Sequence, residues 1–258
     1  MMLSPNTPTL RALVLAAGRG ARMRPLTDSC PKPLLHVHGQ PLAQWWVQAL
    51  RAAGVQHIVL NTGWLGHMVE EYFSALPQPP GAASISFSSE VRDFGHALET
   101  AGGVARALPL LAADAEGIFW VVAGDVFAPG FPLHGAAERF AAGDDLAHLW
   151  LVPNPPHKAR GDFAIAAAGR AALSDTPEAL YTFSGIALYR RALFEAPWCT
   201  IAPGNPHGEQ APLAPLLRRA IAAGRVGATL YAGAWSDVGT PERLAAVRAA
   251  APPDCFIQ

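Results

Sequence analysis

Residues 10–27 read LRALVLAAGRGARMRPLT, a nearly continuous apolar run from Leu10 to Ala16 that breaks into glycines and arginines. Such a run, without polar alternation, is what a strand covered on both faces of a parallel sheet requires. The pattern recurs downstream. Pro41 opens PLAQWWVQALRAAG, in which Leu42, Trp45, Trp46, Ala49 and Leu50 keep helical spacing up to a stop at Gly54. HIVLN ends a second strand at Asn61, a helix pattern runs from Leu65 to Leu76 before Pro77, and SISFS (Ser84–Ser88) alternates as a short strand. A third helix is predicted over Glu99–Leu111 despite Gly102 and Gly103, and Gly117–Gly124 (GIFWVVAG) reads as another buried strand delivering Asp125.

This alternation predicts an α/β protein, a three-layer α/β/α Rossmann-like arrangement with a mostly parallel central sheet, right-handed crossovers, and ligands beyond the carboxyl ends of the strands. The second half is less regular. It offers a strand over Leu146–Val152, a proline-rich loop Pro153–Pro156, strands near Phe163 and over Tyr181–Tyr189, and a helix over Ala211–Ala223. Strands around Val226–Tyr231 and near Trp235 precede a last helix after Thr240 and Pro241. No linker separates the halves, so one domain over residues 1–258 is expected, with a first part at about 10–130 and a second at about 131–250.

At 258 residues, 51% of them hydrophobic and 15% charged, the chain has too much apolar surface to remain disordered. A net charge of −1 gives no bulk attraction for nucleic acid or anionic lipid, so neither partner is expected and any polyanion must be held by a few placed cations. Apolar runs such as Gly117–Ala123 stop far short of the ~20 residues needed to span a bilayer. Met1–Thr9 lacks the basic flank and apolar core of a secretory signal, and Cys30, Cys199 and Cys255 form no CxxC pair. A reducing, cytoplasmic setting with inert thiols is expected, and a monomer is favoured.

Gly18 and Gly20 let backbone N–H groups approach an anion, while Arg19, Arg22 and Arg24 add charge. A tight turn alone also explains the glycines. No G-x-x-x-x-G-K-[ST] occurs, and a dinucleotide fingerprint fails because Met23 stands at the third glycine position. Ten residues after Arg22, Pro31-Lys32-Pro33-Leu34 presents a lysine on a segment stiffened from both sides.

LAAGRGARMRPLT followed by PKPLL resembles the two-part signature of the sugar-1-phosphate nucleotidylyltransferases. The resemblance runs from Leu13 to about Ala250, through the Glu90 region, Ala97–Gly103, Gly124-Asp125-Val126, Arg160–Phe163, Thr182–Ile186 and Trp235–Thr240. It looks most like the short bacterial N-acetylmuramate-1-phosphate uridylyltransferases of peptidoglycan recycling. The resemblance implies the nucleotidyltransferase fold, with nucleotide in the first part and sugar in the second. It also implies Mg²⁺-dependent transfer of UMP from UTP to N-acetylmuramate 1-phosphate, giving UDP-N-acetylmuramate and pyrophosphate.

By the same resemblance Arg22 meets the β and γ phosphates, Lys32 bridges the α-phosphate and the sugar phosphate, and Asp125 and Asp237 hold Mg²⁺. Ala16, Ala17, Gly18, Gly20, Asn61 and Leu98 would face the nucleotide; Glu99, Thr100, Gly161, Asp162 and Ser184 would face the sugar. Asp125 and Asp237 also admit plainer readings, a turn residue and a helix N-cap. One departure stands out: many relatives show Asn-Gly-Asp where this chain has Ala123-Gly124-Asp125. Alternatives within the class are a glucose-1-phosphate thymidylyltransferase or a mannose-1-phosphate guanylyltransferase; outside it, a non-catalytic sugar-nucleotide sensor or, more weakly, a dehydrogenase.

No hexapeptide array accompanies the chain, which argues against acetyl transfer. Ser184 lacks a G-x-S-x-G elbow, disfavouring a serine hydrolase. His36 and His38 are expected to pack or face solvent, Trp45 and Trp46 to serve a core or interface, and Glu138 with Arg139 to form a solvated helix pair.

Overall fold

The computed structural model describes residues 10–79, 81–112 and 117–252. The expectations for Met1–Thr9 and Cys255 lie outside the described residues. β1 (Arg11–Ala16) leads through the glycine turn to a short helix α1 (Leu26–Ser29). A two-residue ladder of β2 (His36–Val37) with β3 (Gln40–Pro41) then enters α2 (Leu42–Ala52). The predicted alternation follows close to its expected bounds: β4 (His57–Thr62), α3 (Gly66–Ala75), β5 (Ser84–Ser89), a short α4 (Glu90–Phe94), α5 (Glu99–Leu111) and β6 (Ile118–Ala123). Beyond them come β7 (Val126–Phe127), α6 (Ala136–Ala141), β8 (Ala147–Val152), β9 (Phe163–Ala166), β10 (Arg170–Ala172) and β11 (Leu180–Arg190). α7 (Leu213–Ala222), β12 (Val226–Leu230), β13 (Ser236–Asp237) and α8 (Pro241–Ala249) close the chain.

Nine strands form one sheet in the order β5-β4-β1-β6-β11-β8-β12-β10-β9. The first four are parallel, as read from the sequence. β11 then enters antiparallel between β6 and β8, and the remainder is mixed. Two details depart from expectation. The strand near Trp235 pairs with β7 in a separate ladder, and β10 has no sequence signal because three residues are too few to show a period.

Parity along β1 sets the layers. Ala12 and Val14 join one buried cluster and Leu13 the other, so both faces are dry. α2, α3 and α6 cover the first face through Trp46, Leu50, Val69, Phe73 and Phe140, while α5 and α7 cover the second through Val104, Leu108, Leu216 and Leu217. Trp46 is fully buried and donates to the Val126 carbonyl at 2.7 Å; Trp45 donates to Val37 at 3.0 Å. His36 is exposed, His38 lies 5.7 Å from the Phe127 ring, and Glu138 and Arg139 are exposed on α6.

A third cluster lies beneath the glycine turn, where Met23, Leu35, Leu42, Phe127, Val238 and Leu244 meet. Met23 is fully buried between two exposed arginines, and burying a side chain of that size contributes roughly 1.5–3 kcal/mol. The residue that breaks the dinucleotide fingerprint thus anchors the turn from below.

Candidate active site

Past the carboxyl end of β1, Ala16, Ala17, Gly18 and Gly20 line a cavity of about 420 Å³. Gly20 adopts φ +63°, and a Cβ there would meet Thr27 Cγ2 at 3.0 Å, so both conformation and space favour glycine. The buried Thr27 organises the turn: its hydroxyl donates to the Gly20 carbonyl at 2.8 Å, and its own carbonyl accepts from Arg19 at 3.0 Å and Trp64 at 2.8 Å. Arg19 lies over the Trp64 ring at 3.6 Å, and both Arg19 and Arg24 pair with Asp28, at 3.1 and 3.0 Å. These two arginines are therefore tied into the loop. Arg22 has no hydrogen bond or ion pair among the described residues and lines both this cavity and a neighbouring one beside Asp237.

Gly124 closes the turn after β6. Its N–H donates to the Leu15 carbonyl at 2.9 Å, and an added Cβ would stand 2.7 Å from that oxygen. The close approach delivers Asp125 to the cavity, where its carboxylate pairs with Lys32 Nζ. Asp237 arrives from far along the chain: β13 sets it opposite Val126, and the Val238 N–H donates to the Asp125 carbonyl at 2.9 Å. Asp125 and Asp237 also share a cavity of about 180 Å³.

Asp237 is not a helix cap. Thr240 caps α8, accepting from the Arg243 N–H, while the Asp237 carboxylate takes Arg243 Nη1 at 2.7 Å from each oxygen and His157 Nε2 at 3.0 Å. Sequence reasoning missed Arg243, for which no motif stands out. Among the described residues no three His, Cys, Asp or Glu side chains gather as a metal cage. Two carboxylates lining one small cavity suit a hard divalent ion that completes its shell with phosphate oxygens and water. Asp125 and Asp237 are the residues that would hold it.

Asn61 is buried on the same wall. Its Oδ1 accepts the Ala16 N–H at 2.6 Å and its Nδ2 donates to Glu90 Oε1 at 2.7 Å; Glu90 Oε2 in turn accepts the Leu98 N–H at 2.8 Å. Glu90 is fully buried, and desolvation raises its pKa above the ordinary value although the bonds from Leu98 and Asn61 oppose the shift. Its sequence signal is weak, a carboxylate at the end of an alternating strand. Through this network one acid fixes the ends of β1 and β4 and the start of α5.

A second cavity, of about 530 Å³, shares Leu15, Glu99, Thr100 and Ala123 with the first and continues to Asp162, Phe183 and α7. Ala123, in place of the expected asparagine, also lines the small acidic cavity and so sits where all three meet. Glu99 holds φ +59°, an unusual conformation for a residue with a side chain. Asp162 accepts from the Phe183 N–H at 2.8 Å and from Lys158.

Three residues named from the sequence are placed differently. The Leu98 side chain is core, so Ala97 and Glu99 form the wall while Leu98 acts through its backbone. Gly161 lines neither large cavity, because it packs against the β11 backbone, where an added Cβ would fall 2.6 Å from the Tyr181 carbonyl oxygen. Ser184 is buried beside the small acidic cavity, its hydroxyl accepting the Ile186 N–H at 3.2 Å.

Residues 11–252 match the family model described as nucleotidyl transferase. The chain belongs to the nucleotidyl transferase family. This nucleotidyl transferase is 40% identical over 250 residues to the N-acetylmuramate alpha-1-phosphate uridylyltransferase of Neisseria meningitidis serogroup B, covering 94% of this chain and 98% of that one. It is 31% identical over 248 residues to the enzyme of the same name from Caulobacter vibrioides, covering 92% and 95%. The fold matches a solved UDP-glucose pyrophosphorylase from Acinetobacter baumanii with a TM-score of 0.71 at 16% identity, over 92% of this chain and 91% of that one.

Proposed function

We propose that this nucleotidyl transferase moves UMP from UTP to N-acetylmuramate 1-phosphate and releases pyrophosphate. The two relatives named for that reaction support the substrate pair, and two adjoining cavities suit a nucleotide and a sugar. The observation that carries the reading is the convergence of Arg22, Lys32 and Asp125 on the first cavity, with Asp237 joined to Asp125 at its edge. In this reading residues 10–130 take the nucleotide and residues 131–250 supply most of the sugar wall. The setting is peptidoglycan recycling in the cytoplasm.

The barrier is repulsion, since one phosphate oxygen must approach another phosphate. Ala16–Gly20 run beside the nucleotide, and Arg22, which has no partner among the described residues, meets the β and γ phosphates. A unit charge at 4 Å contributes about 4 kcal/mol at an effective dielectric near 20. Lys32 stands between the α-phosphate and the incoming sugar phosphate and offsets charge on both. A sugar phosphate oxygen then bonds to the α-phosphorus, and the bond to the α–β bridging oxygen breaks, its electron pair leaving on pyrophosphate. No side chain is acylated or phosphorylated. Asp125 and Asp237 would hold Mg²⁺, which would supply Lewis-acid neutralisation of phosphate charge. Arg243 and His157 orient the Asp237 carboxylate, and the Asn61–Glu90 pair keeps the Ala16 and Leu98 backbones in register behind the base.

A panel of UTP, dTTP and GTP against N-acetylmuramate, glucose and mannose 1-phosphates, read as pyrophosphate release, tests this. UTP with N-acetylmuramate 1-phosphate is expected to be turned over fastest. Faster turnover of another pair overturns the substrate assignment, and binding without pyrophosphate from any pair overturns catalysis in favour of a sensor.

A further inference from the structure

The second cavity carries a charge that nucleotidyl transfer does not use. Four charged side chains line it: Glu99, Lys158, Asp162 and Arg218. Lys158 and Asp162 pair with each other, and Glu99 stands at the lip shared with the nucleotide cavity. Arg218 has no hydrogen bond or ion pair among the described residues, whereas its neighbour Arg219 donates to the Trp198 carbonyl at 2.6 Å.

The root of Arg218 is fixed. α7 buries Leu213, Leu216, Leu217 and Ala220 against the sheet. The segment entering α7 is bonded to the start of α5: the Ala211 carbonyl accepts Ala101 N–H at 2.9 Å and Gly102 N–H at 3.2 Å, and the Ala211 N–H donates to Leu98 at 3.0 Å. Fully buried Asn205 adds a bond to the Gly102 carbonyl at 3.2 Å. The guanidinium is thus presented from a rigid helix tied to Glu99 and Thr100, over a wall of Phe163, Phe183, Leu213 and Leu217.

Resting on the sugar 1-phosphate reading above, we propose that Arg218 is a specificity-determining residue that pairs with a carboxylate borne by the acceptor sugar. An N-acetylmuramate-type acceptor carries that carboxylate on a lactyl ether, which its neutral parent hexosamine lacks. The planar guanidinium fits a carboxylate bidentately, and the apolar wall receives the methyl of the ether arm. A neutral sugar leaves Arg218 hydrated and gains nothing from it.

N-acetylglucosamine 1-phosphate differs from N-acetylmuramate 1-phosphate only in the missing lactyl group, which defines the test. The KM for N-acetylmuramate 1-phosphate and the inhibition constant of N-acetylglucosamine 1-phosphate are measured in wild-type, Arg218→Met and Arg218→Lys proteins, with thermal melts to verify folding. Arg218→Met is expected to raise the KM about tenfold with kcat little changed and the inhibition constant of the neutral sugar unaltered, the scale of one charge-assisted pair at a partly exposed site. Arg218→Lys should recover part of the loss. An unchanged KM in Arg218→Met, or equal changes for both sugars, overturns the role of Arg218 while wild-type turnover still upholds the substrate reading. Absence of pyrophosphate release by the wild type from UTP and N-acetylmuramate 1-phosphate overturns both.

Discussion

Lys32 and Asp125, 93 residues apart in the chain, form an ion pair on the floor of the first cavity, with the lysine side chain only 11% exposed. A cation held this way is preorganised for phosphate, because no flexible arm has to be ordered at the moment of reaction. Lys32→Met should lower the rate of pyrophosphate release by about 10²–10³, the usual cost of losing one transition-state donor. Single-turnover kinetics alongside a thermal melt check this, and an unchanged rate in a folded sample refutes the assignment.

Asp237 sits in a different balance, held by Arg243 and His157 while it lines the same small cavity as Asp125. Asp237→Asn keeps the shape and removes the charge. The Mg²⁺ concentration giving half-maximal rate should rise by about 10–100-fold or more, the scale seen when a metal site loses a supporting partner. A magnesium titration of variant and wild type reads the shift directly.

Glu90 predicts a pH dependence of stability. Burial lifts its folded-state pKa above the ordinary 4.5, so the folded protein binds the proton more tightly than the unfolded chain. The resulting stabilisation is present below the ordinary value and is lost as pH climbs through the raised one. Glu90→Gln cannot ionise, so the stability of wild type relative to this variant should decline from about pH 4.5 upward. Urea midpoints across that range check the slope, and a rising difference contradicts it.

Glu99 holds a left-handed conformation that costs roughly 1–2 kcal/mol for a residue with a Cβ. Glu99→Gly removes that strain but adds about 0.5–1 kcal/mol of unfolded-chain freedom. The melting temperature should therefore stay level or rise by a few degrees. Glu99 lines both large cavities, so the KM for the sugar phosphate should rise in the same variant. Lower stability with unchanged KM would refute both parts.

Much of the fold was legible because burial on two faces leaves a strong local trace. LRALVLA and GIFWVVAG declare themselves as parallel strands without reference to any partner, and β1 and β6 are indeed neighbours. Signals faded where partners decide. β13 is two residues long and is defined only by pairing with β7, and the antiparallel entry of β11 depends on which strands are free beside it. At the site, the glycine turn and the proline-flanked lysine were readable because each imposes a backbone constraint of its own. Gly161 and Leu98 were named through the resemblance alone, and the Gly161 backbone packs against β11 while the Leu98 side chain lies in the core.

The linear order of residues determined the layered parallel half, the stiff basic segment around Lys32 and the acid Asp125 just past a buried strand, because φ restriction and apolar periodicity act over a few neighbouring positions. Tertiary structure alone decided that Arg22 is left without a partner among the described residues while Arg19 and Arg24 are tied to Asp28, that Asp237 comes to share a cavity with Asp125, and that Glu90 is buried beneath Ala16 and Leu98. Those outcomes rest on Coulomb pairing and desolvation between groups far apart in the chain, and such energies exist only once folding has brought the groups together.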